Sequence, residues 1–330
     1  MVRVLHVTNA FPYEGCLDYG VFVKEQIESV RDLGVENEVC FINGRENGKK
    51  VYLQAGPKIR EMAAKVDVIH CHHLYSGLAT ALSGAQKPRV LSFLNDWTCE
   101  VEGVPLMVVR KMFCHLGVAW ADRVIFKSPI PEQFRGRGKF LNLPNGVDET
   151  RFVLRDRIEA RARLGLEQDA NYLLFVSSKG YHRPQKRYDL FTAALNRLNE
   201  RAGREKYKEL LLVKQPRDVV VDYFSAADLH LLSSDFEGSP NSVKEALCCG
   251  LPVVARDVGN VRDMLDGLPG AITVASNDPD RLADAVEAVL SGSVDRQAVR
   301  SAFLAKGLDK HSIAVRLVRL YEELAEEVRR

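Results

Sequence analysis

Short apolar runs alternate with amphipathic stretches along almost the whole chain, and they do so in two series. Runs at 2–7, 38–42, 66–71, 90–93 and 123–126 have the length and composition of buried strands, and stretches of helical period separate them at 20–33, 58–65, 75–83 and 106–120. A second series has strand-like runs at 172–176, 210–213, 229–232, 253–255 and 272–274, with helical stretches at 186–199, 240–249, 281–290 and 294–303. Apolar strands that alternate with helices require parallel sheets covered on both faces. Two such series predict an α/β chain of two Rossmann-like, doubly wound parallel-sheet domains, 1–148 and 149–310. The 330 residues suffice for two domains of about 150 each.

The join is punctuated by Leu143-Pro144-Asn145-Gly146-Val147-Asp148, where Pro and Asn-Gly mark turns. A helix at 157–164 opens the second half. The last helix, 311–330, has apolar positions at Ile313, Val315, Leu317, Leu320, Tyr321 and Leu324 and a highly charged end. It is expected to pack back onto the first domain. Ligands of open parallel sheets bind outside the carboxyl ends of the strands, so chemistry is expected in a cleft between the two domains.

Composition narrows the partners. A formal net charge of +2 gives no electrostatic case for nucleic acid. Seven cysteines at irregular spacing, with no CxxC, suggest reduced thiols rather than a disulfide framework or a zinc site. The start, MVRVLHVTNAFPY, lacks the apolar core of a signal peptide, and no run of about 18 apolar residues occurs. A cytoplasmic protein is expected, with peripheral contact at the inner face of a membrane as a further option.

The chemistry-bearing stretches lie at strand ends. In DFEGSPNSVKEALCCGLPVVARDVGN, Asp235 to Asn260, a loop with Glu237, Gly238 and Ser239 runs into a helix through Pro240, Asn241 and Ser242, and Glu245 follows one turn later. Ser239 is expected as N-cap and Pro240 in the first turn. The free amides around Asn241 and Ser242 suit a phosphate. The two glutamates suit hydroxylated groups on either side of it. A basic loop, Lys179, His182, Arg183, Lys186 and Arg187, follows the strand at 172–176 and suits a diphosphate leaving group. Taken singly, each stretch is also what a solvated helix acid or a solvated basic loop looks like. In the first domain, a loop at 9–19 leads into Gly20, where glycine permits close approach of backbone to phosphate. His70, His72 and His73 cluster at another strand end without a carboxylate or cysteine partner, which favours structural or substrate-contacting histidines over a metal site. Asp96 ends the fourth strand. The helix 106–120 mixes apolar residues with Arg110, Lys111 and His115; it packs on its own sheet, or else rests on a membrane.

Together these residues resemble the family-4 retaining glycosyltransferases of GT-B fold, and the likeness spans nearly the whole chain. EGSPNSVKEAL resembles the family's Glu-x7-Glu motif, FPYEGCLDYGVFVKEQ its opening glycine loop, VDVIHCHHLYSG its third strand, LPNGVDETRF its linker and RPQKRYDLF its basic motif. The RPQKR and EGSPN variants resemble the branch acting on bacterial surface polysaccharides such as teichuronic acid. The resemblance implies a hexosyltransferase-type enzyme that uses a nucleotide-diphospho-sugar as substrate and needs no metal or other cofactor. The acceptor is expected to be a glycan, a lipid-linked carrier or a small molecule. It implies that Lys186 grips the donor diphosphate, with Lys179 or Arg183 in place of the family's partner arginine. Glu237 would lie beside the anomeric centre, Glu245 at the ribose hydroxyls and Gly20 near the phosphates. The leaving phosphate would itself take the acceptor proton. The chain departs from the family at Leu94, where many relatives have a sugar-contacting histidine, so that Asp96 or His72, with His73 beside it, would supply that contact. It departs again at Pro240, which replaces a glycine. Two other readings of the same fold are a nucleotide-sugar epimerase and a non-catalytic nucleotide-sugar- or glycan-binding protein.

Overall fold

A computed structural model of the chain describes residues 1–17, 19–93, 104–177 and 180–329. They form two compact units, Met1–Gly146 with Lys310–Arg330, and Val147–Asp309.

The first unit holds strands β1 (Arg3–Thr8), β2 (Glu36–Phe41), β3 (Val68–His72), β4 (Arg89–Phe93), β5 (Arg123–Phe126) and β6 (Phe140–Asn142). Its helices are α1 (Val21–Arg31), α2 (Gly44–Asn47), α3 (Val51–Gln54), α4 (Gly56–Ala63), α5 (Leu74–Ser83) and α6 (Val104–Trp120). The sheet order is β2-β1-β3-β4-β5-β6, and every pairing is parallel. Alternate residues of each strand feed opposite faces. Leu5, Ile69, Leu91 and Val124 enter one core, and Val4, Val68, Val90 and Ile125 enter the other. The second face is closed by α14 (Lys310–Arg329), whose Ile313, Leu317, Leu320, Tyr321 and Leu324 are buried there with Val30 of α1. The chain thus returns to its first unit at its end.

The second unit has α7 (Arg157–Leu164), β7 (Asn171–Val176), α8 (Tyr188–Ala202), β8 (Tyr207–Leu212), α9 (Arg217–Ala226), β9 (Leu229–Leu232), α10 (Asn241–Cys248), β10 (Val253–Arg256), α11 (Val261–Leu265), β11 (Ala271–Val274), α12 (Pro279–Ser291) and α13 (Arg296–Ala305). Its sheet is also parallel, in the order β11-β10-β9-β7-β8. Separate cores fill its two faces. Arg161, almost fully buried, is held by Asp228 at 2.7 Å, so α7 is tied to the strand β9 by a paired rather than a lone charge.

The sheet orders place the functional ends. A parallel sheet has a switch point where successive connections leave in opposite directions, and the crevice there is open to ligand. The switch falls between β1 and β3 in the first unit and between β7 and β9 in the second. Among the described residues no helix is long and apolar enough to cross a membrane.

Candidate active site

At the second unit's switch point, two loops leave adjacent strand ends. One follows β7 and includes the short 3-10 turn Pro184–Lys186; the other follows β9 and runs from Ser233 to Pro240. They are stitched together by backbone and side chain. The Asp235 amide donates to the Gln185 carbonyl at 2.9 Å, the Gln185 side chain donates to the Phe236 carbonyl at 2.8 Å, and the Ser233 hydroxyl donates to the Lys186 carbonyl at 2.9 Å. A third loop braces the second. Gly259 has φ +59, and a Cβ there would lie 2.4 Å from the carbonyl oxygens of Glu237 and Gly238, so only glycine fits.

This scaffold brings Lys186 and Glu237, 51 positions apart in sequence, into contact. Lys186 Nζ lies 2.6 Å from Glu237 Oε1, with side-chain exposures of 12% and 14%. Ser234 donates to the same Oε1 at 2.8 Å. Of the three ammonium N–H groups of Lys186, Glu237 takes one. The pair is low in exposure and held by three strands' loops, which is the setting in which a charge acts strongly on a neighbouring anion.

Lys186 does not lie on a helix, as the helical stretch 186–199 predicted. Arg187 takes a left-handed conformation, φ 50, and α8 begins only at Tyr188. The left-handed turn stops the short 3-10 segment and presents Lys186 to the neighbouring loop. Arg187 is itself anchored by Asp189 at 2.8 Å and Asp235 at 2.9 Å. Arg183 sits at the start of the 3-10 turn, partly exposed, with its nearest side-chain bond a long one to Gln185. Lys179 and Asp96, like Leu94, lie outside the described residues.

The helix start also differs from expectation. Pro240, not Ser239, is the N-cap of α10; its extended ψ of 118 turns the chain so that Asn241 is the first helical residue. No side chain caps the helix. Ser239 stands one position further out, and its hydroxyl is buried without a hydrogen-bond partner. The Asn260 Oδ1 is buried and unpartnered as well, while the Asn260 amide donates to the Gly238 carbonyl. Uncapped first-turn amides favour an anion, and unspent buried polar atoms are expensive unless a ligand or water meets them.

Ser242 is oriented by a residue that sequence reasoning missed. His230 on β9 is fully buried; its Nδ1 donates to the Leu174 carbonyl at 2.9 Å, so its Nε2 accepts from the Ser242 hydroxyl at 3.1 Å. Burial pulls this imidazole down to about 4, so it stays neutral. The Ser242 side chain therefore belongs to the core, and only its backbone amide faces the helix end. A histidine inside the otherwise aliphatic strand LHLL was the signal available. Glu245 is partly exposed on α10, one turn beyond Asn241, and beside it burial pulls the Lys244 amine down to about 7.

The first unit's switch point is built differently. Gly20 is the left-handed N-cap of α1, φ 70, and a Cβ there would collide with the Ala10 carbonyl carbon at 2.1 Å. His72 is fully buried rather than placed to touch an acceptor. It stacks on His70 at 4.1 Å, and its Nε2 lies 3.0 Å from His6 Nδ1. The Asn37 amide donates to the Val35 carbonyl, so its Oδ1 accepts from His6 Nε2 at 2.8 Å; His6 Nδ1 must then accept from His72. His70 bonds Tyr321 of α14 at 2.6 Å and Ser92 at 2.7 Å. Burial pulls His6 down to about 4 and holds His70 and His72 well below the ordinary imidazole range. His6, His70 and His72 do bring ligand atoms within 4.8 Å of one another. The rings are stacked and five of their six nitrogens bond to one another, Asn37, Tyr321 and Ser92, with His72 Nδ1 buried and unpartnered, so the cluster is a hydrogen-bonded core network. His73, partly exposed, has φ 99 and caps α5 by accepting from the Tyr75 amide at 3.3 Å.

Residues 170–292 match the family described as glycosyl transferases group 1. Over 315 residues the chain is 30% identical to D-inositol 3-phosphate glycosyltransferase of Geodermatophilus obscurus, an alignment covering 79% of this chain and 67% of that one. The chain belongs to the group 1 glycosyltransferases. Among solved structures, this glycosyltransferase is similar to sucrose-phosphate synthase of Thermosynechococcus elongatus, with TM-score 0.75, 17% identity and coverage of 98% and 99% of the two chains. It is similar also to HepE of Anabaena in complex with UDP, with TM-score 0.73, 16% identity and coverage of 98% and 100%. The two parallel-sheet units are those of the GT-B fold. The chain is an enzyme of the glycosyl-transfer class, and neither alternative reading of the fold finds support.

Proposed function

We propose that the second unit binds a nucleotide-diphospho-sugar at the β7/β9 switch point and that the enzyme transfers the sugar with retention of anomeric configuration. The Lys186–Glu237 contact beside the uncapped start of α10 carries this reading. The diphosphate lies against the Asn241 and Ser242 amides and the Lys186 ammonium, with Arg183 or Lys179 as a further cation. Glu237 faces the sugar and Glu245 the ribose hydroxyls. Gly238 keeps the intervening loop free of a side chain, and Ser239 offers an unspent hydroxyl.

In the reaction the bond from the anomeric carbon to the diphosphate breaks, and the acceptor oxygen forms its bond on the same face. The acceptor proton passes to the departing phosphate oxygen. Lys186 and the helix start stabilise the charge that develops on that phosphate, and Glu237 supports positive charge at the anomeric carbon. No protein nucleophile or metal is required. The first unit takes the acceptor, with the partly exposed His73 as its candidate contact. The acceptor hydroxyl belongs to a glycan, a lipid-linked carrier or a small molecule, of which the RPQKR and EGSPN variants favour a glycan of the bacterial surface, and catalysis proceeds in the cytoplasm.

Two measurements test this. A thermal-shift panel of UDP-, GDP- and ADP-sugars is expected to give stabilisation by one of them through linked binding. With that donor, Lys186→Ala is expected to lower kcat/KM by about 10²- to 10³-fold. An unchanged kcat/KM removes Lys186 from the reaction.

A further inference from the structure

In the first unit, α6 does not simply pack on its sheet. Cys114 and Val118 are its inward residues, while Val109, Met112, Phe113 and Leu116 form an outward stripe at i, i+3, i+4 and i+7. Met112 is 51% exposed and Leu116 53%. The stripe runs into a groove of about 560 Å³ lined by α6, α5 and the segment around α3. Leu53, Leu78, Leu82, Phe113, Leu116 and Trp120 form most of its wall, and of these Leu53 and Leu82 are about 70% exposed. The groove's floor is set by Gly77 and Gly117; a Cβ on either would come within 2.9–3.1 Å of Leu91. The helices α5 and α6 therefore lie close on the sheet and leave the space outside them open.

Contiguous exposed apolar surface of this kind marks an interaction site. Its charge says which kind. The helices α3, α5 and α6 and the link 48–50 contain Lys49, Lys50, Arg110 and Lys111 and no acid. Lys49 lines the groove, and Lys49, Lys50 and Lys111 are exposed. An apolar stripe flanked by exposed lysines complements an anionic lipid surface, whose headgroups meet the lysines while the apolar side chains enter the acyl boundary.

We infer that the α6 stripe and the α5–α6 groove form a membrane-docking surface that seats the first unit on an anionic bilayer. The surface lies in the first unit alone. Failure of vesicle binding leaves the donor site of the second unit untouched, and loss of nucleotide binding leaves this surface untouched.

The test is co-sedimentation of the full chain with vesicles of phosphatidylcholine, with and without phosphatidylglycerol. Pelleting is expected with phosphatidylglycerol and weaker pelleting without it, and added salt is expected to reduce the difference. Met112→Glu with Leu116→Glu is expected to lower the partition coefficient by at least about tenfold, and Lys49→Ala or Lys111→Ala by about fivefold each. The thermal shift given by nucleotide should be the same in all these variants, which shows that they fold. Pelleting with neither vesicle at low salt overturns the inference, as does pelleting of the double glutamate variant at the level of the parent chain. Sedimentation velocity adds a third outcome. A dimer that the glutamates dissolve, with no lipid binding, makes the face a contact between copies and overturns the bilayer.

Discussion

Both units have a parallel sheet with a switch point, and both place histidine and cationic or hydroxyl side chains near it, but the two are put to different use. At β1/β3, His6, His70 and His72 are fully buried and spend five of their six ring nitrogens on one another, on Asn37, on Ser92 and on Tyr321, with His72 Nδ1 left over. At β7/β9, Lys186 and Glu237 stay partly exposed, the α10 start is uncapped, and Ser239 and Asn260 hold buried polar atoms without partners. A fully buried network that meets nearly all of its polar atoms fixes a fold, whereas a partly exposed charge pair beside an uncapped helix is built to receive something. The same topology therefore gives a structural pin in one unit and a candidate reaction centre in the other.

Substitutions can break or sharpen this contrast. The largest effect is expected from Glu237→Ala, with kcat lower by about 10²- to 10³-fold and the melting temperature within a few degrees of the parent; steady-state transfer assays and thermal melts check both. A collapse of stability instead would place Glu237 with the structural pins.

Acid should act on the closed networks. His6 and His230 titrate near 6.5 when unfolded and near 4 when folded, because burial disfavours the charged ring. A folded value below the unfolded one gives stability that is present above about 6.5 and lost as pH falls through the folded value. Denaturant melts between pH 7 and pH 4 should show a loss of up to about 3 kcal/mol for each such histidine. A flat profile would show that these rings are not held neutral.

A smaller change is expected from Tyr321→Phe, which removes the hydroxyl that meets His70. Unfolding free energy should fall by about 1–2 kcal/mol, while kcat/KM of the folded enzyme stays within about twofold. A loss of turnover without a loss of stability would move this network from fold to function.

Much of this was legible in the sequence where burial alone decides. The runs at 123–126 and 229–232 are strands at those residues because parallel strands buried on both faces are continuous apolar segments. The helix α9 was not legible: three consecutive valines argue against a helix locally, yet Asp222 on it pairs with Arg155 and Arg163 and its apolar side packs on the sheet. The strand β6 is a three-residue edge, too short to show a period. At the site, the Glu-x7-Glu pair and the basic loop could be read from residue types. The left-handed Arg187 that takes Lys186 off the helix could not, nor could the shift of the cap from Ser239 to Pro240, because both depend on how the loops are stitched together. The same is true of His6, His72 and Tyr321, which meet only through strand register and the return of α14. The outward face of α6 was half legible: its composition suited either core or membrane, and only burial separates the two.

The central claim is that the second unit's open site holds the leaving diphosphate, with Lys186 as its principal side-chain cation. The most direct measurement is calorimetric affinity for the nucleoside diphosphate and the monophosphate of the preferred donor's base, in the parent chain and in Lys186→Ala. The diphosphate is expected to bind about 10²-fold more tightly than the monophosphate in the parent, and Lys186→Ala is expected to remove most of that difference while changing monophosphate affinity little. An equal preference for the diphosphate in both proteins would contradict the claim.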